Sequence, residues 1–315
     1  MTKKLVKLVA AVAILAPIAA KAAGDITGFL QAVVSGLTQG GLYSLIALAF
    51  SIIYMTTRTI NFAQGEILMA GAYAYFFASV SGGFPWPLAL LIALAVGAAA
   101  ALLVQAVAIA PLGKFDPNTN IGWILTTLSM SLIAVEIARN SFGEQAKTVS
   151  PVIGGDAIFS IEPKQYLVLA VGMVLAVVLE ILHSKTQLGR ALRATAHDKA
   201  TASLMGINTT GMVVYSFALA GVLAGVGGWL LAPIVFVSPD MGTLVGLTAF
   251  IAAVVGGIGS TKGALVGGLT IGLVEKLATY LGAGDWTTSV VFASLVVILV
   301  LKPTGLLGEA LIEKV

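Results

Sequence analysis

Long continuous apolar runs, each cut by a short polar or proline-containing break, fill almost the whole chain. They predict membrane-crossing helices at about 27–55, 61–78, 86–112, 121–141, 165–184, 211–236, 243–260, 264–281 and 286–302. The breaks carry turn chemistry: Ser81 to Pro87, Pro111 to Pro117, Gly143 to Pro163, and Ser238-Pro239-Asp240. The runs do not alternate between apolar and polar residues, and many approach the ~20 residues of one helical crossing, so a β-barrel is disfavoured. The pattern therefore predicts an all-α polytopic membrane protein of about nine transmembrane helices.

One break is unlike the rest. Between the fifth and sixth runs, residues 185–208 form a polar island with Gly189-Arg190-Ala191-Leu192-Arg193-Ala194-Thr195-Ala196-His197-Asp198, continuing to Gly206-Ile207-Asn208. In a multispanning chain such a segment is either a docking loop for a soluble partner or a solvated connector between helices. A short amphipathic helix with Arg190 and Arg193 at i,i+3 suits a partner's groove, and the same arginines also suit anionic lipid headgroups.

Composition agrees with the pattern: 58% of residues are hydrophobic, only 10% are charged, and mean hydropathy is +1.03. The 36 glycines suit close helix packing in lipid. Three pairs lie one turn apart on a common face: Gly221 with Gly225, Gly263 with Gly267, and Gly268 with Gly272. These could pack inside the chain or at a subunit interface.

The distribution of charge sets an orientation. At the N-terminus, Lys3, Lys4 and Lys7 precede an apolar stretch and Ala20-Lys21-Ala22, so residues 1–22 read as a signal peptide or a signal anchor, with Asp25 outside either way. Threading the runs alternately from there puts Lys3, Lys4, Lys7, Arg58, Lys114, Lys185, Arg190, Arg193, Lys199, Lys262, Lys302 and Lys314 on the cytoplasmic side. Those are twelve of the seventeen basic residues, as the positive-inside rule requires. The polar island and the C-terminus are then cytoplasmic.

Candidate chemistry is sparse. There is no cysteine, His183 and His197 are the only histidines, and no nucleophile elbow appears, so no catalytic residue and no metal site are expected. Neither Gly113-Lys114-Phe115 nor Gly259-Ser260-Thr261-Lys262-Gly263 has the order of a phosphate-cradling loop, so the chain itself is expected to bind no ATP, magnesium or other cofactor. Polar residues inside the runs need explaining. Asn61, Gln64 and Glu66 fall at the predicted cytoplasmic start of the second span, where helix capping and a broken, pathway-lining helix compete as explanations. Glu275 and Lys276 lie deeper, where an ionisable group is a functional candidate; as helix neighbours they point about 100° apart and are expected to need different partners. Thr126 and Thr127 add polar atoms to the fourth span, for substrate or for their own backbone. Glu136 and Arg139 read as a structural pair at i,i+3.

Asn61-Phe62-Ala63-Gln64-Gly65-Glu66, opening a span, resembles the signature of branched-chain amino acid ABC transporter permeases of the LivH type. Three further blocks agree: Gly36 to Tyr43, Gly189 to Asn208, and Gly256-Gly257-Ile258-Gly259 through Gly263, Gly267, Gly268 and Glu275. The resemblance implies one permease domain over 27–308 in a bacterial inner membrane. It implies a second permease, most simply a paralogue, two cytoplasmic ATP-hydrolysing subunits and an extracytoplasmic binding protein, with no nucleic acid partner. It casts 185–208 as the ATPase coupling loop, with Arg190, Arg193, Ala194, His197, Asp198 and Gly206; the polar residues within the spans, Asn61, Gln64, Glu66, Thr126, Thr127 and Glu275, are the candidate pathway residues. The implied cargo is leucine, isoleucine and valine; urea, short amides or aromatic acids are the alternatives within such importers, and a passive channel, an ion-coupled carrier or a non-transport scaffold outside them. The loop departs from the Glu-Ala-Ala-x-x-x-Gly pattern of other ABC importers, keeping Ala200-Thr201-Ala202 before Gly206.

Overall fold

The computed structural model describes residues 21, 22, 24–113, 121–157 and 161–308. Most of the signal-like segment, Lys114 to Asn120 and the last residues, including Lys314, lie outside the described residues. The described chain is helical, with α1 (Ile26–Thr57), α2 (Gln64–Phe76), α3 (Trp86–Val104), α4 (Gly122–Phe142) and α5 (Pro163–Lys185) before the polar island. Within the island lie α6 (Gln187–His197) and α7 (Lys199–Leu204), followed by α8 (Thr209–Leu231), α9 (Met241–Gly256), α10 (Thr261–Tyr280) and α11 (Thr287–Leu301). Six segments are long and apolar enough to cross a bilayer: α1, α3 extended to Leu112, α4, α5, α8, and α11 with its leading turn. α2, α9 and α10 account for the remaining predicted spans.

Burial orders the bundle. The most apolar window of α1 is 89% buried, against 67% for α8, 11% for α4 and 6% for the α11 segment. α1 is therefore the central mast, enclosed on every side from Gly40 to Ile53, as expected of a helix that is hydrophobic all round. It is flanked by α10, α8, α5 and α9. Peripheral helices bury one narrow stripe each: Val168, Gly172, Ala176 and Leu179 on α5, and Ala89, Ala93, Gly97, Ala101 and Val104 on α3. Apolar residues outside those stripes stay exposed, as lipid-facing surface does.

The glycine pairs pack inside this chain. A Cβ on Gly221 would come within 2.4 Å of the Gly97 carbonyl, and one on Gly225 within 2.7 Å of the Ala93 carbonyl, so α8 and α3 touch backbone to backbone. Gly268 sits on Ser44 and Gly272 on Gly40, joining α10 to α1, while Gly263 and Gly267 meet Gly256 on α9. Without a hydrophobic drive between helices in lipid, such close approach is what supplies packing energy.

Helix ends are set by local chemistry. Asp25, Thr186, Asp198, Asn208 and Ser260 cap α1, α6, α7, α8 and α10 with side-chain oxygens. Glycines with positive φ, Gly143 at 77° and Gly257 at 108°, end α4 and α9. Arg58, Lys262, α6 and Lys302 lie at one end of the bundle, called the basic end below; Arg139, Glu144 and Asp240 lie at the other.

Candidate functional site

The Asn61 to Glu66 motif does not lie at the end of the bundle, where the hydrophobic pattern puts it. α1 ends at Thr57 with Arg58 in the left-handed conformation, φ 57°, and residues 59–63 then turn back into the protein as non-helical chain. Thr59, Asn61 and Ala63 on this return are almost wholly buried. α2 starts only at Gln64, whose Nε2 donates to the Ala220 carbonyl at 3.1 Å. Ala220 is about 16 Å along α8 from Thr209 at 1.5 Å per residue, roughly half of a ~30 Å hydrocarbon core. Gly65 meets Gly242 and Gly246 in the first turns of α9, so the two short helices start against each other. Periodicity missed this because a buried non-helical return of apolar residues looks the same as more helix. Irregular backbone at such depth requires full enclosure and internal hydrogen bonds. It has both: Asn61 Oδ1 accepts from the Ala63 amide at 3.1 Å, Asn61 O from the Gln64 amide at 3.1 Å, and Asn61 Nδ2 donates to Gln64 Oε1 at 3.3 Å.

Asn61 and Gln64 thus hold the return in place, and Glu66 is left for something else. Its side chain is 3% exposed; Oε1 accepts from Thr243 Oγ1 at 2.9 Å, and Oε2 has no partner. Glu66 lines a cavity of about 200 Å³ between α2, α3 and α4, walled by Met69, Ala70, Ala100, Val104, Met130 and Ala134. Tyr73, whose hydroxyl is also buried and unpartnered, lines it too. Near Tyr73 the wall is aromatic, with the Phe142 ring centroid at 4.6 Å and Phe77 at 6.2 Å. Towards the basic end, Phe62 stacks on Trp123 at 6.5 Å and meets Phe250 at 5.7 Å, filling the space below the motif.

The other polar candidates are already satisfied. Glu275 accepts from the Tyr43 hydroxyl at 2.6 Å and lies 3.3 Å from Lys276 Nζ. The long lysine stem curls back to its neighbour, which corrects the expectation of separate partners. Thr127 Oγ1 donates to the Trp123 carbonyl at 2.8 Å, and Thr126 Oγ1 to the Gly122 carbonyl at 3.1 Å and the Ala108 carbonyl at 2.8 Å. Their hydroxyls tie α4 to itself and to the end of the α3 segment, whereas α4 meets the cavity through Met130, Ala134 and Phe142, apolar positions that the sequence does not single out. Arg139 pairs with Glu136 at 3.4 Å as expected, and also with Asp240 at 3.1 Å and Glu144 at 3.5 Å.

The polar island folds as two helices in an elbow. α6 buries Gly189, Leu192 and Thr195 against the bundle. Arg190 and His197 are exposed, while Arg193 folds back, donating from Nη2 to the Ser184 carbonyl at 3.3 Å. Arg58 Nη2 donates to the Ala196 carbonyl at 2.7 Å, joining the mast to α6. Asp198 caps α7, accepting from the Ala200 amide at 2.8 Å and from Thr201 Oγ1 at 2.6 Å. Those bonds, Thr201's first, hold its carboxyl below the usual aspartate range; the cap is therefore present at neutral pH and lost only as pH falls through that lowered value. Gly206, φ 81°, ends the elbow. Just before it, Leu204 is 88% and Met205 78% exposed, an apolar tip on the most polar segment of the chain.

Residues 32–301 match the model of a family described as the branched-chain amino acid transport system permease component. The chain belongs to this permease family. The permease is 32% identical over 311 residues to the high-affinity branched-chain amino acid transport system permease protein BraD of Pseudomonas aeruginosa, covering 92% of this chain and 99% of that one. It is also 32% identical to LivH of Escherichia coli K12, covering 91% and 98%. A solved structure, PsaBC from Streptococcus pneumoniae in complex with Fab, aligns with TM-score 0.49 and 13% identity over 84% of the permease and 90% of that chain. Family and helices together make the permease a multi-pass membrane protein and a transport subunit.

Proposed function

We propose that this permease is one of two membrane subunits of an ATP-driven importer that carries leucine, isoleucine and valine across the inner membrane. A binding protein delivers the cargo outside, and two ATPase subunits, which hold ATP and magnesium, act from the cytoplasm. The observation that carries the reading is the interior start of α2, with a carboxylate beside an apolar cavity and an aromatic layer below it, in a chain belonging to a branched-chain amino acid permease family. An apolar route with few polar contacts suits an aliphatic side chain carried with its charged head. The test is uptake by the complex reconstituted with its second permease, ATPase pair and binding protein. Leucine uptake should require ATP, and the isolated subunit should neither transport nor hydrolyse ATP. ATP-independent flux would replace the importer with a channel or carrier, and uptake of urea or aromatic acids in place of leucine would replace the cargo.

The α6–α7 elbow is the coupling element in this reading, and the contact residues shift with the geometry. Arg193 and Asp198 shape the elbow, and Leu204 and Met205 enter the ATPase. Arg58 makes the elbow continuous with α1, so a rigid-body push on α6 reaches the core of the bundle. The orientation follows from the charges, with the basic end in the cytoplasm and the C-terminus on the same side. Ser203 and Gly154 are exposed. Ser203→Cys should react with an impermeant maleimide only from the cytoplasm and Gly154→Cys only from outside; the reverse pattern would invert the topology.

A further inference from the structure

The cavity between α2, α3 and α4 is lined by Glu66, a buried carboxylate with one oxygen left without a partner. We infer that it is an intramembrane amino acid site within the permease itself, in which Glu66 binds the substrate's α-ammonium and the apolar walls hold its side chain. This rests on the importer reading above and adds that cargo is read a second time, after the binding protein has released it.

Three observations converge. First, Glu66 lines the cavity and is buried, with one oxygen fixed by Thr243 and the other without a hydrogen-bond partner. An intramembrane ionisable group normally has a partner, because the charge is costly otherwise. Here the described residues supply one hydroxyl and no cation: Lys276 is engaged with Glu275 and Arg139 with Asp240, Glu136 and Glu144. A cationic guest completes the site. Second, the cavity holds about 200 Å³ and is walled by aliphatic carbons and methionines. That is the scale that takes a small hydrocarbon guest. Methionine walls adapt to aliphatic groups of differing branching. Third, the second free polar atom, the Tyr73 hydroxyl, lies two turns along α2 from Glu66, about 10 Å at helical rise. Two polar side chains in an otherwise apolar wall do not suit a polyhydroxylated solute, which would leave many hydroxyls without partners. The cavity mouth is rimmed by exposed Leu103 and Ile137 and opens outward from this chain.

The test uses the reconstituted complex without its binding protein, with radiolabelled leucine as the probe. Wild type should bind leucine saturably. The amine 3-methylbutylamine, which keeps the ammonium and lacks the carboxylate, should displace it; the acid 4-methylpentanoate, which lacks the ammonium, should not. Glu66→Gln should lose binding at least tenfold and raise the KM for leucine in full-complex uptake, with Glu66→Asp recovering part of the loss. Ala134→Leu, which narrows the cavity from the lightly buried α4, should depress leucine more than alanine. Abundance and ATPase co-purification are followed for each variant, and the analogue competition on wild type needs no variant to fold. Displacement by the acid as readily as by the amine would overturn the ammonium assignment. Unchanged leucine KM in Glu66→Gln, or unchanged uptake with a higher melting temperature in Ala134→Leu, would make the cavity a packing void or a lipid-chain slot. Absence of ATP-driven leucine uptake in the wild-type complex would instead defeat the importer reading.

Discussion

Gly272→Leu is expected to remove most of the folded permease from the membrane. Even the first added carbon at this position would lie 2.3 Å from the Gly40 amide nitrogen and 2.4 Å from the Gly36 carbonyl oxygen. Both are main-chain atoms of the mast and cannot rotate aside. Relief requires α10 and α1 to separate along the contact that also holds Gly268 on Ser44, so the cost is paid over the whole seam. Overpacking typically costs 1–3 kcal/mol where side chains can adjust, and more where backbone must move, against a total stability of about 5–15 kcal/mol for ordinary domains. Gly272→Ala should already lower the melting temperature of the detergent-solubilised protein by several degrees. Gly154→Ala, at an exposed glycine with open space around it, is the silent control. A wild-type melting temperature for Gly272→Ala would mean that the seam is looser than drawn.

Leu204→Glu combined with Met205→Glu is expected to release the ATPase while leaving the permease folded. Both side chains are exposed, so the change opens no cavity and should leave abundance and melting temperature unaltered. Full burial of a leucine or methionine side chain contributes about 1.5–3 kcal/mol, so losing two from an interface weakens it by at least two orders of magnitude. Arg193→Glu makes the useful contrast. Its guanidinium bonds the Ser184 carbonyl within the elbow, so reversal should loosen the joint between α5 and α6 and reduce uptake with the ATPase still bound. ATPase co-purification and ATP-driven uptake, measured on the two variants side by side, separate docking from transmission. Retention of the ATPase by the double glutamate variant would return the docking role to the arginine face of α6.

The sequence by itself determined the class, the helical composition and the family. Runs of apolar residues near the length of a bilayer core leave the backbone no alternative to helices, and the cost of translocating basic residues suffices to propose an orientation. The Glu136 and Arg139 pair was equally legible, because it acts within one turn; the capping reading of Asn61 fails, because Ala63 stands at the N-cap of α2 and no side chain caps it. What the tertiary structure decided is everything that depends on depth and on partners distant in sequence. Asn61, Gln64 and Glu66 read as the end of a span because a buried non-helical return has the same composition as a buried helix; only the contacts with Ala220, Gly242 and Thr243 set them in the interior. Glu66 and Glu275 both read as acids in apolar runs that need a partner. Tyr43 and Lys276 occupy one, while the other keeps an oxygen free beside a cavity whose walls come from three helices. Helix geometry sets neighbours about 100° apart, so the adjacency of Lys276 did not reveal the pair, and the Tyr43 contact, 232 residues away, exists only in the assembled fold.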